Sequence, residues 1–149
     1  MPAPEILTAD TVTKLGPEHR GQVLIGASHG GVYAGYLAAK AGVRGVILND
    51  AGLGLDSAGI GALAYLDDLD LAAATVDCMS ARIGDGQDMA ARGVISHVND
   101  AAATLGCAKG MAAGDCARVM TSAAIFEGEA PTYAESRFLL REFGDEPKV

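Results

Sequence analysis

The sequence predicts an α/β domain built on a parallel sheet of about four or five strands flanked by helices. Three observations lead there. Short apolar runs without helical period recur, as in residues 22–27 and 46–48, and such runs read as buried strands. Helical segments separate them, and strands that alternate with helices fold as βαβ units. Polar residues follow the strands, with Ser28-His29, Asn49-Asp50, Asp77 and Ser96-His97 in turn.

Each element has a local reason. Residues 8–15 start a short helix capped by Thr8 or Asp10, and residues 16–21, with Gly16, Pro17 and Gly21, are loop. Residues 22–27 form the first strand. Gly30-Gly31 opens a helix over residues 32–41, rich in Ala, Leu and Tyr, and Gly42 ends it as a left-handed cap. Residues 46–48 are the second strand, joined to the first by a right-handed crossover. Residues 56–66, capped by Asp56 or Ser57, carry Ile60, Leu63 and Ala64 at helical spacing. Residues 72–76 are the third strand, against which the helical preference of alanine competes. Residues 86–92 form a short helix before Gly93, and Val94-Ile95 begins a fourth strand that ends in Ser96-His97-Val98-Asn99. Asp100 caps a helix over 101–105 stopped by Gly106. Residues 115–124 are helical, and residues 133–143 form an amphipathic C-terminal helix. Arg44-Gly45-Val46-Ile47 recurs as Arg92-Gly93-Val94-Ile95, which supports both strands without a solenoid period.

The chain has 149 residues, the size of one domain. Residues 1–149 are therefore read as a single unit, with an N-terminal helix and loop over 1–21 and a C-terminal helix and tail over 125–149. Half of the residues are hydrophobic and 20% are charged, which excludes a disordered chain. No apolar run reaches the length of a membrane span. The acidic start, Met1-Pro2-Ala3-Pro4-Glu5, leads into no signal-peptide core, so a cytoplasmic protein is expected. The formal charge of -8 and the lack of a basic cluster argue against a nucleic-acid partner. Cys78, Cys107 and Cys116 show no CxxC spacing and read as buried packing residues. Many small side chains bury little area each, so a homo-oligomer is expected.

Ligands of open parallel sheets bind beyond the carboxyl ends of the strands. That rule gathers Ser28, His29, Asn49, Asp50, Asp77, Ser96, His97 and Asn99 on one edge, beside the helix N-terminus at Gly30-Gly31. Helix caps and turns are the competing role for such residues. A Gly-rich turn at a helix start also cradles anions through backbone N–H groups, with Arg82 as a carboxylate clamp or as a surface partner of Asp85 or Asp88. Neither Walker spacing nor Gly-x-Gly-x-x-Gly occurs, so no nucleotide cofactor is expected. No His-x-His or His-x-x-x-His spacing indicates a metal.

Gly26-Ala27-Ser28-His29-Gly30-Gly31 follows a strand and opens a helix, the setting of a Gly-x-Ser-x-Gly nucleophile elbow. Residues 23–52 resemble the elbow, helix and next strand of the α/β-hydrolase family, including Leu48-Asn49-Asp50-Ala51-Gly52. The resemblance implies Ser28 as nucleophile and the N–H of His29 as half of an oxyanion hole. It covers that segment alone, and no whole-chain family is identified. The sheet as a whole is expected to be Rossmann-like or flavodoxin-like. Two functions compete. One is an enzyme for a small anionic metabolite, a hydrolase or acyl transferase in which Ser28 attacks, His97 takes the proton and Asp50 orients it. The other is a non-catalytic binding domain, or a subunit whose partner completes the site, with His29, Gly30, Gly31, Asn49, Asp77, Arg82, Ser96 and Asn99 holding the same ligand.

Overall fold

The computed structural model describes residues 5–50, 61–81 and 84–123, apart from the side chains of Lys14 and His29. Strands β1 (Ile6–Ala9), β2 (Val23–His29), β3 (Gly45–Asn49), β4 (Ala72–Val76) and β5 (Ile95–Val98) form one sheet in the order β1-β2-β3-β4-β5. Strands β1 to β4 are parallel, and β5 lies antiparallel on β4. The helices among the described residues are α1 (Val32–Ala41), α2 (Gly61–Asp67), α3 (Gly86–Arg92), α4 (Asp100–Leu105) and α5 (Ala113–Met120), the last two following β5. The architecture is α/β, as predicted, with a sequential strand order and no internal reversal. Among the described residues no helix is long and apolar enough to cross a membrane.

Strand alternation splits the core in two. Leu24, Val46, Leu48 and Ala73 pack with Ala34, Ala38, Ala62 and Leu66 of α1 and α2. On the opposite face Ile25, Ile47, Ala74 and Val76 pack with Met89, Cys116, Ala117 and Met120. Strands β3 and β4 are buried along their whole length, which is why they read as continuous apolar runs rather than alternating ones. Small residues set the helix spacing. A Cβ on Gly35 would lie 2.9 Å from the Ala62 Cβ and 3.2 Å from its Cα, so α1 and α2 approach closely only because that position is glycine.

Several predicted boundaries coincide with the observed ones, notably 32–41, 72–76 and 86–92. Gly42 ends α1 with φ 81°, the left-handed cap expected of it. Two expectations are corrected. Residues 8–15 are not a helix: Ile6–Ala9 is an edge strand in register with Val23–Gly26, followed by 3-10 turns at Val12–Lys14 and Pro17–His19. The backbone of this short segment is satisfied by β2, against which its local helix preference counts for little. The fourth predicted strand is antiparallel. After β4 the chain returns across the carboxyl edge, where the Gly84 N–H donates to the Ala27 carbonyl at 2.9 Å and the Gly86 N–H to Asp10 Oδ1 at 2.9 Å. It then enters β5 beside the carboxyl end of β4, with the Asp77 N–H on the Val94 carbonyl at 2.8 Å. Residues 56–60 and 133–143, two further predicted helical segments, lie outside the described residues.

Candidate functional site

Ser28 sits on the α1/α2 side of β2, near its carboxyl end. The strand breaks register with β3 between Ile25 and His29, and the Ala27 carbonyl turns to the Gly84 N–H. The Ser28 hydroxyl accepts from the Val12 N–H at 2.9 Å and donates to Thr11 Oγ1 at 3.3 Å. Thr11 in turn caps the first 3-10 turn through the Thr13 N–H. Ser28 thus ties the β1–β2 connection to the sheet. It lies within β2, not in the strained strand-to-helix turn of a nucleophile elbow. Among described non-glycine residues, positive φ occurs only at Asp70.

Gly30 joins the next strand end. Its N–H donates to the Asn49 carbonyl at 2.7 Å, and its own carbonyl accepts from Ala62 N–H at 2.8 Å. Gly31 is the N-cap of α1 and, being glycine, contributes no side-chain cap bond there. Beside this loop, Asn49 is fully buried and Asp50 is 5% exposed. The Asp50 N–H continues the ladder to the Val76 carbonyl at 2.9 Å, and its Oδ1 accepts from the Cys78 N–H at 3.1 Å. Asp77 is exposed and shapes its own turn, with Oδ1 accepting from the Met79 N–H at 2.8 Å and its carbonyl accepting from the Ser80 hydroxyl at 2.7 Å. One donor atom each from Asp50, Asp77 and Cys78 lies within 4.8 Å of the others. These three side chains are where the edge could hold a cation or a ligand's N–H and O–H groups. The loop and the ends of β2, β3 and β4 therefore do meet, as predicted.

The β5 residues do not join them. Ser96 is the extra residue of a β-bulge, since Thr75 pairs with His97 and Val76 with Ile95. Its hydroxyl meets Thr75 Oγ1 at 3.0 Å and lies 3.2 Å from His97 Nδ1. Ser28 and His97 stand on the second and fifth strands of the sheet, about 14 Å apart at three strand spacings. The Ser28–His97 proton transfer expected from the sequence therefore has no geometric basis. Asp50, two strands from β5, is likewise not placed to orient His97. Asn99 is at the opposite edge altogether. Its Oδ1 accepts from the Ala73 and Ala102 N–H groups, and its Nδ2 donates to the Leu63 and Leu71 carbonyls. It is a buried structural hub, and it, not Asp100, caps α4. Strand separation keeps His97 from Ser28 and Asp50, and the reversed direction of β5 carries Asn99 to the opposite edge. Arg82 and the His29 side chain lie outside the described residues.

Cys78 is not the buried packing residue expected: it stands half-buried at the site, whereas Cys107 and Cys116 are buried as expected. Its position immediately after Asp77 at a strand end was the available signal. Burial, then the charges of Asp50 and Asp77, push the Cys78 thiol above its ordinary value. A raised pKa leaves less thiolate near neutral pH, and thiolate is the form that reacts. Alkylation of Cys78 by iodoacetamide at pH 8 is accordingly expected to be slower than that of a free cysteine peptide, and to keep rising above pH 9. Asp50→Asn and Asp77→Asn should each speed it at pH 8, measured by intact mass. Unchanged rates in both variants would contradict the electrostatic assignment.

Comparison of the chain with protein-family models, with curated proteins and with solved structures finds no match.

Proposed function

We propose that this chain binds a small polar metabolite at the carboxyl edge of β2, β3 and β4. An anionic group of the ligand sits at the start of α1, and a hydroxyl or ammonium group is held by Asp50 and Asp77. The observation that carries this reading is the carboxylate of Asp50, 5% exposed at the end of β3 and within 4.8 Å of the donor atoms of Asp77 and Cys78. The Gly30 N–H on the Asn49 carbonyl keeps the α1 start beside it, so a positive helix end and a negative pair adjoin. That polarity suits a hydroxy acid or a zwitterion better than a simple anion. The catalytic form of the reading, acyl transfer through Ser28, lacks a described base: the groups at its hydroxyl are Thr11 and Val12.

Thermal shift with glycine, L-serine, lactate and gluconate tests the proposal, with acetate and ethanolamine as controls that each offer one end alone. A ligand at ten times its Kd adds about 1.4 kcal/mol, or about 3–5 °C in Tm for a chain of this size. At least one bifunctional compound should give that rise, the controls should not, and Asp50→Asn should weaken the binding at least tenfold. No rise with any of the four, or equal binding by Asp50→Asn, overturns it. Fluorophosphonate treatment should leave the mass unchanged; an adduct absent from Ser28→Ala would restore the nucleophile.

A further inference from the structure

A cleft lies away from that edge, between α1 and the two 3-10 turns that precede β2. It is an open cleft of about 440 Å³, within the 300–1,000 Å³ typical of small-molecule sites. Its apolar lining comes from Val12, Leu15, Pro17, Leu37 and Ala41, and two cations, Arg20 and Lys40, stand on its wall. The Arg20 side chain is laid against Gly42: a Cβ there would meet its guanidinium Nη1 at 2.8 Å. The Lys40 ammonium is held 5.9 Å above the Tyr36 ring. Both cations are thus placed at the C-terminal end of α1. Neither forms an ion pair with a described residue.

We infer that this cavity binds an amphipathic monocarboxylate, with an aliphatic or aromatic body against Leu15, Leu37 and Ala41 and its carboxylate between Arg20 and Lys40. Apolar walls with two cations on the exposed side of the cleft are the composition such ligands need. The contrast with the rest of the chain sharpens this: a protein of formal charge -8 sets two cations on one apolar cavity. The Glu18 carboxylate does not line the cavity but lies by Gly16, which does, and it disfavours a second negative charge on the ligand. The site is independent of the carboxyl edge, because none of its lining residues belongs to the Asp50–Asp77–Cys78 cluster.

Isothermal titration with decanoate, decanol and decyltrimethylammonium tests the inference on the full chain. Decanoate should bind at one site, and both uncharged and cationic analogues should bind at least tenfold more weakly. Arg20→Gln/Lys40→Gln should cost decanoate at least tenfold while Asp50→Asn leaves its affinity unchanged. Leu37→Asn probes the apolar wall and should also weaken it, with circular dichroism confirming the fold of each variant. No decanoate binding, equal binding of the three probes, or an undiminished affinity in the Arg20/Lys40 double variant would each overturn the assignment.

Discussion

Asn99→Ala is expected to lower the unfolding free energy by about 3–5 kcal/mol, one of the two largest losses a single substitution should cause here. The side chain is 6% exposed and satisfies four backbone groups at once: two N–H groups, on β4 and α4, and two carbonyls, on α2 and just before β4. Removing it strands those groups in the interior, where each unsatisfied group costs about 1–3 kcal/mol and partial relaxation recovers some. Asn99→Asp should be nearly as damaging. It keeps an acceptor for the Ala73 and Ala102 N–H groups but turns a second oxygen toward the Leu63 and Leu71 carbonyls. Urea denaturation followed by circular dichroism measures the loss. A variant that kept its stability but lost ligand affinity would return Asn99 to a binding role.

Gly86→Val should cost about 3 kcal/mol by overpacking. A Cβ at this position would lie 2.6 Å from the Ala9 carbonyl oxygen and 2.9 Å from both the carbonyl carbon and the nitrogen of the same residue. All three are backbone atoms of β1, so no rotamer change relieves the clash, and the Gly86–Asp10 hydrogen bond must also give way. Gly84, two residues earlier, offers the control. It has φ 84° and nothing within 4 Å of a built Cβ, so Gly84→Ala meets only the left-handed backbone penalty of about 1 kcal/mol. Equal losses for the two variants in urea would refute the close approach of α3 to β1.

The contrast between those positions shows what the sequence conveys and what it withholds. The α1 helix is legible because its boundaries are local: Gly31 before it, a left-handed Gly42 after it and helix-favouring residues between. Strand β4 is legible because both its faces are buried. By contrast, Ile6–Ala9 becomes a strand only through β2, and nothing within those four residues requires it. The direction of β5 is set by the path of residues 77–94, not by Ile95 to Val98. Ser96 and His97 look like Asn49 and Asp50 in sequence, each pair following a Gly-Val-Ile strand start. The sheet points one pair toward the carboxyl edge and sets the other in a bulge beside Thr75. The segment from Ser28 to Asp50 retains the predicted juxtaposition, since it spans a single crossover. Asn99 illustrates the opposite case, because three of its four partners, Ala73, Leu71 and Leu63, lie 26, 28 and 36 positions away.

The strand order has a consequence for how the molecule is assembled. Each of β2, β3 and β4 pairs with the strand synthesised just before it, so every new pairing closes only the connection that precedes it. Loop-closure entropy grows with the length closed, and a sheet that reversed direction internally would have to wait for its flanking strand. Here the growing chain can zip strand onto strand. The long closures come late, when Gly86 reaches Asp10 across 76 positions and Arg44 reaches the Ala123 carbonyl across 79. Until then the face of β2 and β3 that α3 and α5 will cover stays open to solvent. It is this apolar surface, not the strand pairing, that is exposed to wrong partners during biosynthesis.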